Sequence, residues 1–135
     1  MKILLSSLLS ILFLFSCDQQ LNQVVKTYEN GQKWSEGNFN DGMVDGSFTF
    51  WYENGQKSYE ENYRDGIRVG KWTSWYDNRQ KSSERFYNND KVEGIENYWY
   101  KNGQKYRELT YIDNKLISEK KWNGDGSVKK NKKSN

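Results

Sequence analysis

Tyr28-Glu29-Asn30-Gly31-Gln32-Lys33 returns as Tyr52-Glu53-Asn54-Gly55-Gln56-Lys57, then as Tyr76-Asp77-Asn78-Arg79-Gln80-Lys81 and Tyr100-Lys101-Asn102-Gly103-Gln104-Lys105. The interval is 24 residues each time. Self-similarity at a fixed period of this size marks a repeat array, in which each unit packs on its neighbours. Other columns keep step: Glu36, Glu60, Glu84 and Glu108; Phe39, Tyr63, Tyr87 and Tyr111; Gly46, Gly70 and Gly94; Trp51, Trp75 and Trp99. The units therefore run 28–51, 52–75, 76–99 and 100–122, the fourth being one residue short and ending at Trp122. Asn123-Gly124-Asp125-Gly126 reads as a partial fifth start or cap.

Each unit carries two turn signals. One is Asn-Gly, at 30–31, 54–55 and 102–103; the other is Asp-Gly, at 41–42 and 65–66, replaced by Asn89-Asp90 and Asp113-Asn114. Both dipeptides tolerate positive φ, so type I′ hairpin turns are expected at both. The stretches between them are rich in Tyr, Trp, Phe, Val, Thr and Ser, which suits strands. The fold class expected is all-β: an antiparallel meander of hairpin repeats, about eight or nine strands in one elongated single-layer sheet.

Period-2 geometry places Trp51 and Tyr52 on opposite faces, and likewise Trp75/Tyr76 and Trp99/Tyr100. Both faces should then carry aromatic columns, which a thin sheet needs for cross-strand packing. Gly46, Gly70 and Gly94 are expected to admit a neighbouring ring or backbone. The Glu36/60/84/108 column invites a metal or catalytic reading, but like columns lie about 10 Å apart across two strands. Pairing with the Lys33/57/81/105 column, or with turn amides, is the expected role.

Composition narrows the function classes. The 135 residues are 16% aromatic and contain neither His nor Pro. Mean hydropathy is −1.12, so burial must come mainly from Trp, Tyr and Phe. Without His, the commonest general base and metal ligand is absent, and no phosphate loop or metal-ligand spacing appears; neither an enzyme nor a cofactor is expected. The net charge of +3 is concentrated in the tail at Lys129, Lys130, Lys132 and Lys133. Setting those and Lys2 aside leaves 16 basic against 18 acidic side chains, not the balance of a nucleic-acid binder. The segment 127–135 reads as a solvated basic tail, with contact to anionic lipid as its alternative.

The N-terminus reads differently. Lys2 precedes an apolar run from Ile3 to Phe15, which would span roughly 20 Å as a helix, less than a bilayer core of about 30 Å. Leu14-Phe15-Ser16-Cys17 follows, and Cys17 is the only cysteine, so no internal disulfide can form. This resembles the bacterial lipoprotein box, with Leu14 and Ser16 at its defining positions. The resemblance implies that 1–16 is a signal peptide, that Cys17 carries the lipid, and that 17–27 is a polar tether. It also implies a bacterial cell-envelope location on a membrane whose side stays open.

The 28–126 pattern of Tyr-x-Asn-Gly-x-Lys, a later Glu, an aromatic, Asp-Gly, then Gly and Trp-Tyr resembles the bacterial variant of the MORN repeat. In bacteria such repeats occur in exported lipoproteins and in the YwqK family of antitoxins. The resemblance implies a hairpin-repeat fold and says little about the ligand. Arg79 and Ser118 stand where the pattern usually has Gly.

Three functions are therefore weighed. The first is an envelope-tethered, non-catalytic binding or scaffold module for a protein partner, using a sheet face or edge. The second is a glycan or peptidoglycan binder. The third is an antitoxin or immunity protein. Trp51, Trp75, Trp99, Tyr52, Tyr76 and Tyr100 are the candidate binding residues, against the alternative that they are simply the sheet's own packing.

Overall fold

The computed structural model describes residues 22–129. The signal segment 1–16, Leu14, Ser16, Cys17 and residues 130–135 of the tail lie outside them. The described chain is all-β. Its strands are β1 (Asn22–Thr27), β2 (Lys33–Asn40), β3 (Met43–Trp51), β4 (Lys57–Arg64), β5 (Ile67–Arg68), β6 (Gly70–Trp75), β7 (Lys81–Asn88), β8 (Lys91–Val92), β9 (Gly94–Trp99), β10 (Lys105–Ile112) and β11 (Lys115–Lys121). They form one open antiparallel sheet in chain order, β1-β2-β3-β4-β6-β7-β9-β10-β11. That path has nine members, as the repeat pattern predicts. β5 and β8 are the leading halves of strands interrupted just before Gly70 and Gly94.

The two turns of each unit differ, and one corrects the expectation. The Asp-Gly turn is type I′, with positive φ at both central residues: Asp41 and Gly42 at 48° and 79°, Asn89 and Asp90 at 48° and 65°. The Asn-Gly turn is not. Only its glycine has positive φ, as at Gly31 (82°) and Gly55 (77°). Gly31 N–H donates to the Tyr28 carbonyl and Tyr28 N–H to that of Gln32, making a type I turn closed by a left-handed residue. The Asn side chain explains the choice: Asn30 Oδ1 accepts from Gln32 N–H at 2.9 Å, and Asn54, Asn78 and Asn102 do the same to Gln56, Gln80 and Gln104. Residues 123–127 rebuild this turn, with Asn123 N–H donating to Ser127 and Asp125 Oδ1 accepting from Ser127 N–H.

Two bulges per unit set the faces. The register slips after Tyr59↔Phe50, Ser83↔Ser74 and Arg107↔Tyr98, so that Lys57 pairs with Trp51, Lys81 with Trp75 and Lys105 with Trp99. The extra residue is Ser58, Ser82 or Tyr106. The second irregularity falls at Gly46, Gly70 and Gly94, which have φ of 85°, 65° and 76°. A Cβ at Gly46 or Gly94 would meet nothing within 4 Å. These glycines therefore serve a left-handed backbone and not the close approach expected of them. Close approach belongs to Gly37, where a Cβ would lie 2.1 Å from Phe48 Cδ2.

The expected tether is shorter than 17–27, because β1 occupies 22–27 and pairs with β2 from Asn22↔Phe39 to Thr27↔Lys33. At the other end Val128 bridges Trp122 and Lys129 N–H donates to Lys121, so the tail begins by following β11.

Hydrogen bonds close each of the first three units along one edge and join neighbouring units along the other. At the Asn-Gly edge, Tyr28, Tyr52 and Tyr76 donate their hydroxyls to the carbonyls of Trp51, Trp75 and Trp99 at 2.7, 2.7 and 2.9 Å. At the other edge, Gly66, Asp90 and Asn114 N–H donate to the carbonyls of Val44, Arg68 and Val92.

Candidate functional site

The register sorts the side chains onto two faces of different character. One carries Glu36, Thr49, Glu60, Thr73, Glu84, Asn97 and Glu108 in one cross-strand row. Beside that row Lys33, Lys81 and Lys105 reach Glu36, Glu84 and Glu108 at 2.6, 2.6 and 2.9 Å, and Lys57 pairs with Glu60 in the same way. The same ammonium groups lie over Trp51, Trp75, Trp99 and Trp122 at 5.5, 5.6, 5.3 and 5.7 Å from the ring centroids. Each such contact contributes about 0.5–1 kcal/mol at an exposed site, and each ion pair up to about 1 kcal/mol. This ladder face is a structural device, and the expected pairing of the Glu and Lys columns is what the register delivers. Phe86 and Ile95 are exposed apolar side chains on this face, paired with Lys71 and Thr110.

The opposite face holds Phe48, Phe50, Tyr59, Glu61, Tyr63, Trp72, Ser74, Ser83, Arg85, Tyr87, Glu96, Tyr98 and Leu109, facing one another across β3–β10. The least exposed large apolar side chains of the described chain, Tyr87 and Leu109, are here, as is Glu96 at 3% exposure. Rings run along it in contact: Phe48–Phe50 at 4.9 Å between centroids, Tyr63–Trp72 at 5.2 Å, Trp72–Tyr87 at 4.9 Å. A buried polar knot interrupts them. Arg85 pairs with Glu96 at 2.6 Å, Tyr98 donates to the same carboxylate at 2.6 Å, and Arg85 also reaches the Tyr87 hydroxyl at 3.3 Å. Burial and the bond to Glu96 push the Tyr98 hydroxyl up to about 12. Burial pushes the Glu61 carboxyl above its ordinary value, against the bond it accepts from the Tyr63 hydroxyl at 2.9 Å.

A cavity of about 200 Å³ opens on this groove face, lined by Tyr59, Glu61, Trp72, Ser74, Arg85 and Tyr87 among others. Ser83 lines it too, and the Ser74 hydroxyl lies 2.6 Å from those of Ser82 and Ser83. Tyr59, 51% exposed, stands at its edge.

The candidate binding residues do not form one surface. Trp51, Trp75 and Trp99 belong to the ladder face under lysine ammonium groups. Tyr52 and Tyr76 sit at the Asn-Gly turns with their hydroxyls bonded to the last residue of their own units, and Tyr100 stacks on Tyr106 at 4.7 Å. The groove residues were missed. Their signal lay in the column Gly37, Glu61, Arg85, Leu109, which changes chemistry at every unit while its neighbour Glu36/60/84/108 stays constant.

The MORN repeat variant matches residues 44–65 and 92–113. Two stretches, 44 of the 135 residues, are thus similar to that repeat. The two matches start two 24-residue periods apart, and each spans the second strand of one unit, the Asn-Gly turn and the first strand of the next. Each matched stretch is thus one 24-residue period of the sheet less two residues. No curated protein matches the sequence. Among the described residues no three His, Cys, Asp or Glu side chains are grouped to hold a metal ion.

Proposed function

We propose that this protein is a lipid-anchored, non-catalytic binding module of the bacterial cell envelope that engages a protein partner through the groove face of its MORN-variant sheet. MORN repeats generally serve as binding elements, not as catalysts. The observation that carries the reading is the cavity at Tyr59, Glu61, Trp72 and Arg85. It breaks the repeat pattern, it combines aromatic walls with polar groups, and it lies opposite the face already committed to lysine–tryptophan–glutamate contacts. The anchor is Cys17, behind Leu14 and Ser16. Only residues 18–21 separate Cys17 from β1 in the sequence.

The test is affinity capture from a detergent-solubilised envelope extract with the full chain. Tyr59→Ser is compared with the ladder-face variant Phe86→Ser/Ile95→Ser. A protein retained by the wild type and the ladder variant but not by Tyr59→Ser supports the reading; retention lost only in the ladder variant refutes it. Cys17→Ser should move the protein out of the membrane fraction.

A glycan is the second reading, favoured by the half-exposed Tyr59 ring in a cavity also lined by Ser74 and Ser83. Recovery of peptidoglycan fragments, lost in Tyr59→Ser, would establish it in place of a protein partner. An immunity role would be one instance of the protein-binding reading.

A further inference from the structure

Glu61 differs from the other glutamates of the groove face. Glu96 has Arg85 at 2.6 Å, and Glu119 has Arg107 at 2.7 Å and Lys121 at 3.1 Å. Glu61 has only the Tyr63 hydroxyl, and among the described residues no cation lies within ion-pair distance of it. It stands opposite Phe48 in the β3–β4 register and lines the cavity with Tyr59, Trp72 and Tyr87. The ladder glutamates each hold a lysine of their own unit, so the repeat has its own way of neutralising an acid. Glu61 lies outside that scheme, in a column whose other members are Gly37, Arg85 and Leu109.

A half-buried carboxylate among ring faces is an arrangement that gains from a cation. The ring quadrupoles and the carboxylate attract positive charge together, and the cost of holding the acid out of water is recovered when a cation arrives. Arg85 does not fill the role. It sits two strands away, about 10 Å along the same row, and is already held by Glu96. The cavity, about 200 Å³, has room for an alkylammonium stem.

We infer that this cavity takes one alkylammonium group, the side chain of a lysine on the partner, with its charge on Glu61 and its stem against Tyr59 and Trp72. The inference rests on the proposal that the groove face is the binding face, and it names the chemistry the partner presents there.

The full chain in detergent, labelled with 15N at its six tryptophan indoles, is titrated with Nα-acetyl-lysine methylamide while the Trp72 indole N–H resonance is followed. Trp72→Phe assigns that resonance. The expected result is a saturable shift, with binding weaker by about tenfold or more for the neutral match Nα-acetyl-norleucine methylamide and for Glu61→Gln. Dispersed indole resonances in Glu61→Gln show that the sheet is intact. No saturable shift with the lysine probe, or one unchanged in Glu61→Gln, overturns the inference. If the probe fails while an envelope protein is still retained through Tyr59, the binding module stands and the lysine slot falls. If the probe binds but the wild type retains no protein, the slot stands and the protein-binding reading falls.

Discussion

The Tyr52 hydroxyl donates to the Trp75 carbonyl at 2.7 Å, joining the first residue of one unit to its last, 23 residues on. Tyr28 and Tyr76 repeat the bond to Trp51 and Trp99. Tyr100 makes no such bond among the described residues, in keeping with the residue missing from the fourth unit. A single-layer sheet has no second layer to lock its strands, so bonds of this kind bear on how cooperatively the units unfold.

Tyr52→Phe should therefore lower the unfolding free energy by about 1 kcal/mol, because it removes one hydrogen bond and leaves a part-buried carbonyl short of a donor. Tyr100→Phe should change it little. Denaturant titration of the two variants side by side checks both.

Gly37→Ala should destabilise by about 1–3 kcal/mol, since the new methyl lands 2.1 Å from the Phe48 ring. The cost should shrink in a Phe48→Ala background, giving a clear coupling in a double-mutant cycle. Gly46→Ala meets no atom within 4 Å, so its cost should be insensitive to Phe48 and come from φ alone.

Arg79 occupies a left-handed position, φ 71°, where Gly31, Gly55 and Gly103 stand in the other units. Arg79→Gly should stabilise by about 1 kcal/mol, the left-handed strain being larger than the added freedom of the unfolded chain. Thermal unfolding of the variant checks it, and a drop in melting temperature would contradict it.

These positions show what the sequence made legible. The hairpin array, its strand number and the Lys–Glu pairing all follow from columns that repeat every 24 residues. The Asn-Gly turn was misread because the dipeptide alone does not reveal that Asn30 Oδ1 accepts from Gln32 N–H, which keeps Asn30 itself out of the left-handed region. β1 was read as tether because Val24-Val25 is short and lacks an aromatic, although the turn at Tyr28 needs a strand on each side. The groove was hidden for two reasons. Bulges at Ser58, Ser82 and Tyr106 break simple alternation, and Glu61 and Arg85 fall where the repeat stops repeating.

Glu61 also sets a pH dependence. Its folded-state carboxyl is raised by burial, so the folded chain holds that proton more tightly than the unfolded chain. No cost arises below the unfolded value. Stability is lost as pH rises from there through the raised folded value. The groups facing it are Tyr59, Tyr63, Arg85 and Tyr87. Glu108, held low by Lys105, and Glu119, held low by Lys121 and Arg107, act in the opposite sense: their contribution is present above the unfolded value and lost as pH falls. Both remain in Glu61→Gln, so the difference from wild type isolates Glu61. Glu61→Gln should melt a few degrees higher than wild type at about pH 8 and equally at about pH 4. Equal melting at both pH values would contradict this.

The central claim is that the groove face, and not the ladder face, meets the partner. The most direct measurement is photo-cross-linking in the native cells with a photoreactive phenylalanine at position 59 of the full chain, compared with the same residue at position 86 on the ladder face. The account predicts a discrete protein adduct from position 59, absent at 86 and abolished by Glu61→Gln. An adduct formed only from position 86, or from neither position, would contradict it.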